Sequence, residues 1–153
     1  MTCPAPKPTR EGYIAFLRNY AGVPASALAD DSETITYVLC SAREFLKTGM
    51  GLHLAPIIYT RTLYNMATSL LLNYAEDQPG QTFFQKLRDH YKLNELHTGI
   101  ITSAADQGTS GTVKISKAME GLSLADLQLL QDPFGRKVAA VLMELGPIWG
   151  YTP

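Results

Sequence analysis

Residues 56–76, Pro-Ile-Ile-Tyr-Thr-Arg-Thr-Leu-Tyr-Asn-Met-Ala-Thr-Ser-Leu-Leu-Leu-Asn-Tyr-Ala-Glu, constrain the fold more than any other stretch of this chain. Pro56 suits the first turn of a helix, where a missing N–H removes no internal bond. Ile57, Ile58, Leu63, Tyr64, Met66, Ala67, Leu70, Leu71, Leu72 and Tyr74 then fall on most sides of that helix rather than on one stripe. A helix apolar nearly all round is central in its fold or packed against a partner. Either way it needs neighbours, and the flanking sequence supplies helical ones.

Upstream, Thr9 can cap a helix that repeats Tyr13, Ile14, Phe16, Leu17 and Tyr20 at helical spacing, with Gly22 and Pro24 ending it. Asp31 or Ser32 can cap a second, whose stripe is Ile35, Val38, Leu39, Ala42, Phe45 and Leu46. Downstream, Pro79-Gly80 turns the chain into a helix over about 82–91 that buries Phe83, Phe84 and Leu87. Ser123 with Asp126 resembles a capping box for a short helix reaching about Leu130. Asp132 caps the last helix with Pro133 at its first position; Phe134, Val138, Val141, Leu142 and Leu145 form its buried stripe, and Gly146-Pro147 stops it.

Residues 99–116 break the helical pattern. Ile100, Thr102 and Ala104 alternate with Ile101 and Ser103, and Val113 and Ile115 alternate with Lys114 and Ser116. Asp106–Gly111 supplies a Gly-rich turn. The expected fold is mainly α, a bundle of about five to six helices with one β-hairpin and extended termini. One domain covers 1–153, with an arm at 1–8, a helical core at 9–145 holding the hairpin at about 99–116, and a tail at 146–153. A lone hairpin is marginal in water, so Ile100, Ile101, Val113 and Ile115 are expected at a contact between subunits. Ile148, Trp149 and Tyr151 form an aromatic tail outside any element. It either folds back on its own core or inserts into a partner, where Trp and Tyr anchor well.

Charged residues make up only 18 % of the chain, against ~25 % in ordinary soluble domains. The net charge is −1, and no run of Lys or Arg occurs, so no nucleic-acid footprint is present. Cys3 and Cys40 form no C-x-x-C and read as free thiols. The first residues lack the apolar run of a secretory signal, and no stretch reaches membrane-spanning length.

Catalytic and cofactor patterns are equally sparse. His53, His90 and His97 stand outside any H-x-x-x-H spacing, so neither a metal nor another cofactor is expected. Gly108-Thr-Ser-Gly-Thr misses the nucleophile elbow G-x-S-x-G at its last position. A hydrolase built on Ser103 or Ser110 with His90 or His97 would need a strained turn that the sequence does not spell. Acidic pairs such as Glu76-Asp77 sit at element ends, where capping explains them. The chain reads as a non-enzyme; a general helical interaction module is a further possibility that fold alone does not separate.

The order of these parts resembles a known family. The Tyr64–Tyr74 helix is followed by Gly-x-x-Thr-Ser-Ala, by Gly-Thr-Ser and a strand, and then by Asp-Pro-Phe-Gly-Arg opening the last helix. This is similar to the head–tail connector adaptors of tailed bacteriophages, over about residues 32–149. Asp132 stands where that family has Thr, the second strand starts after Gly111, and an extra helix carries Phe83 and Phe84. The resemblance implies a subunit of a dodecameric ring below the portal, at the head–tail junction of the virion and assembled in the host cytoplasm. Its partners would be the portal protein, other neck or tail proteins and its own copies. Genomic DNA would pass through without sequence-specific binding, and no membrane is involved. Ile148, Trp149 and Tyr151 would engage the portal. A stopper or a tail terminator is the nearest alternative.

Overall fold

A computed structural model describes residues 7–46, 54–94, 103–106, 109–112 and 128–145; for the two short strands it describes the backbone alone. Five helices occur among the described residues: α1 (Arg10–Asn19), α2 (Glu33–Phe45), α3 (Pro56–Tyr74), α4 (Phe83–Tyr91) and α5 (Pro133–Leu145). The protein is mainly helical. Two four-residue strands, β1 (Ser103–Asp106) and β2 (Thr109–Thr112), pair antiparallel between α4 and α5.

The centre is α3, against which α1, α2, α4 and α5 all pack. Every residue from Thr62 to Ser69 is buried, more than two full turns without a solvent face. Around it lie Tyr13 and Leu17 of α1, Ile35, Val38 and Ala42 of α2, Phe84 of α4, and Val138 and Leu142 of α5, all buried. Five of the buried positions on α3 are nevertheless polar: Thr60, Thr62, Asn65, Thr68 and Ser69. A buried hydroxyl or amide without a partner costs about 1–3 kcal/mol. Much of that cost is offset within the helix, because Thr62 donates to the Ile58 carbonyl at 2.8 Å, Thr68 to that of Tyr64 at 2.8 Å, and Asn65 to that of Arg61 at 2.7 Å.

The helix starts follow the sequence closely. Thr9 caps α1 by accepting from the Gly12 N–H at 3.0 Å, and Ser32, not Asp31, caps α2 through the Thr34 N–H. The cap of α4 comes from further away. Asp77 accepts from the Phe84 N–H at 2.7 Å and the Gln85 N–H at 2.9 Å. In return Arg88 of α4 donates to the Ala75 carbonyl at 2.6 Å, at the C-terminus of α3. A cation is favoured there by the helix dipole as well as by the orphan carbonyl. Arg18 plays a similar part after α1. It pairs with Asp30 and donates to the Val23 carbonyl at 2.8 Å, folding the connection to α2 onto the first helix.

Several expectations need correction. Phe45 is 51 % exposed. At 100° per residue Phe45 falls only about 20° from Val38, on the border of the buried face, but it occupies the last turn of α2, where no described neighbour covers it. Ile57, Ile58 and Tyr74 are also exposed, being in the first and last turns of α3, so the helix is apolar-buried in its middle and not throughout. Phe83, Leu87, Val141 and Leu145 are only half-buried. The described part of the ladder pairs Ser103 with Thr112 and Asp106 with Thr109, so Asp106 and Thr109–Gly111, assigned to the turn, take part in it. The hairpin expected over 99–116 and the short helix from Ser123 otherwise lie outside the described residues, as do the arm at 1–6 and the tail at 146–153.

Candidate functional site

The Asp-Pro-Phe-Gly turn joins α5 to the central helix. Asp132 is fully buried. One carboxylate oxygen, Oδ1, accepts from the N–H groups of Phe134 and Gly135, each at 2.8 Å, which caps α5. The other, Oδ2, accepts from the Ser69 hydroxyl of α3 at 2.6 Å. Asp132 therefore satisfies a helix start and a buried serine at once, and pins α5 to the central helix. Gly135 is required at the fourth position of the turn. A Cβ there would stand 2.2 Å from the Leu129 carbonyl oxygen, a backbone atom that no rotamer change can remove.

A second close approach occurs on α1. The Tyr64 hydroxyl accepts from the Thr9 N–H at 3.0 Å and donates to the Thr9 carbonyl at 3.1 Å, so α3 holds the capped end of α1. The same hydroxyl would lie 2.5 Å from a Cβ on residue 12, which glycine leaves free. Rings continue outward from this point. Phe16 lies 5.7 Å from Tyr64 and 5.7 Å from Tyr20, measured between centroids, and Tyr20 is 78 % exposed.

These joints border an open groove of about 610 Å³ between α1, the first half of α3 and the start of α5. Its apolar walls are Phe16 and Tyr20 on one side and Ile57 and Phe134 on the others. Two cations stand at its edge, Arg61 on α3 and Lys137 on α5, both exposed, and among the described residues no carboxylate lines it. Among the described residues the one ion pair is Arg18–Asp30, so neither cation is neutralised by a described partner. Lys137 instead lies 5.5 Å from the centre of the Phe134 ring.

Asn65 lines the groove and is only 6 % exposed. Its amide orientation follows from its neighbour: the nitrogen must face the Arg61 carbonyl, to which it donates at 2.7 Å. That leaves Oδ1, which is buried and accepts no hydrogen bond from the protein. Buried polar atoms are rarely left so, and such an atom usually marks a missing partner.

The residues expected from sequence to make contacts, Ile100, Ile101, Val113 and Ile115 of the hairpin and Ile148, Trp149 and Tyr151 of the tail, all lie outside the described residues. Arg61, Asn65 and Lys137 were not anticipated. The signal available for the first two was an arginine and an asparagine four residues apart in a helix whose other middle positions are apolar or carry only a hydroxyl. No sequence pattern connects either to Lys137. Of the histidines, His90 is exposed on α4 with its ring 5.0 Å from that of Tyr91; His53 and His97 are outside the described residues. Among the described residues, no group of three or more His, Cys, Asp or Glu could hold a metal, no helix is long and apolar enough to cross a membrane, and Cys40 is an exposed free thiol. Compared with known protein families, with curated proteins and with solved structures, the chain matches none.

Proposed function

We propose that this chain is a structural subunit of the head–tail connector of a tailed bacteriophage, an adaptor that joins the portal to the tail and continues the DNA channel. The observation that carries the reading is the Ser69–Asp132 hydrogen bond. The two sequence stretches most like the adaptor family, the Tyr64–Tyr74 helix and the Asp-Pro-Phe-Gly turn, lie 63 residues apart in the chain and meet at this bond. They form one joint, built so that the turn opens the last helix directly against the central one.

Two further features favour a contact-making role. The chain has few charges for its size, and Tyr20, Tyr37, Phe45, Ile57, Ile58 and Tyr74 are exposed on the helical body. In a closed ring each subunit repeats the same modest contact, so patches too small to hold a dimer can hold an assembly. In this reading the hairpin residues Ile100, Ile101, Val113 and Ile115 touch a neighbouring subunit, and Ile148, Trp149 and Tyr151 dock on the portal.

Light scattering after size-exclusion chromatography, with negative-stain images, tests the proposal. Rings of the chain alone, or rings formed on mixing with a portal protein, are expected. A monodisperse monomer that binds neither portal nor tail proteins would sink it.

A further inference from the structure

We draw no further inference here: the strongest candidate, the groove of about 610 Å³ between α1, α3 and α5 with the exposed Arg61 and Lys137 at its edge, carries nothing because nothing in the structure shows what covers it.

Discussion

Asn65 and Ser69 sit one turn apart on the same face of α3, and both are polar and buried. Ser69 donates to Asp132 and is fully used. Asn65 spends its nitrogen on its own helix and leaves its oxygen buried without a partner in the protein. Burial alone does not separate the two. What separates them is whether the facing helix brings a matching group. At Ser69, α5 begins and its capping carboxylate arrives. At Asn65 no such group arrives, and the residue borders a groove lined by aromatic rings and rimmed by cations. One end of this stripe closes the fold, and the other leaves an amide oxygen unmet.

The strongest way to break that contrast is at the closed end. Asp132→Ala removes the cap of α5 and leaves Ser69 buried and unmet. Cap loss of ~1–2 kcal/mol and an orphaned hydroxyl of ~1–3 kcal/mol together predict a destabilisation of about 2–4 kcal/mol, read from urea unfolding. Gly135→Ala forces the chain at Leu129 to retreat and should cost about 1–3 kcal/mol, the usual range for overpacking; a neutral result by thermal melting would show that the turn is looser than its contacts imply.

A pH series probes the same helix from the other side. Tyr13 is buried against α3, its hydroxyl weakly bonded to Thr68 at 3.4 Å. Burial pushes its phenol well above the ordinary value near 10, with the Thr68 bond opposing slightly. A pKa raised on folding means the contribution is whole below the unfolded value and fades as pH rises past it. Stability should therefore hold up to about pH 10 and fall above it. Tyr13→Phe should flatten that alkaline limb, visible in denaturant midpoints measured from pH 8 to 11. The smallest effect belongs to the open end. Asn65→Leu removes a buried acceptor that has no partner, so stability should change by less than about 1 kcal/mol or rise, in contrast to Asp132→Ala. A loss as large as that at Asp132 would mean that Asn65 is structural after all.

Much of the helical frame was legible in the sequence because its signals are local. Thr9, Ser32, Pro56 and Pro133 mark starts by chemistry that acts within one turn, and the stripes of α1, α2 and α5 repeat at helical spacing. Errors came where exposure depends on what lies opposite. Phe45, Ile57, Ile58 and Tyr74 are apolar and helical, yet no described neighbour covers them. The double use of Asp132 was half legible: the cap follows from Asp-Pro, but the bond to Ser69 needs two helices to be placed first. The groove was not legible at all, since its two cations come from helices some 76 residues apart in the chain, Arg61 and Lys137.

The reciprocal caps of α3 and α4 bear on the order in which the chain folds. Asp77 reaches Phe84 and Gln85, seven and eight residues on, and Arg88 reaches Ala75, thirteen back. Ser69 and Asp132 are 63 residues apart. Closing a short loop forfeits less chain entropy than closing a long one, and contacts near in sequence form sooner. The α3–α4 corner should therefore be present in the folding transition state, with α5 docking afterwards. In kinetic terms, Arg88→Ala should slow folding, whereas Asp132→Ala should chiefly speed unfolding.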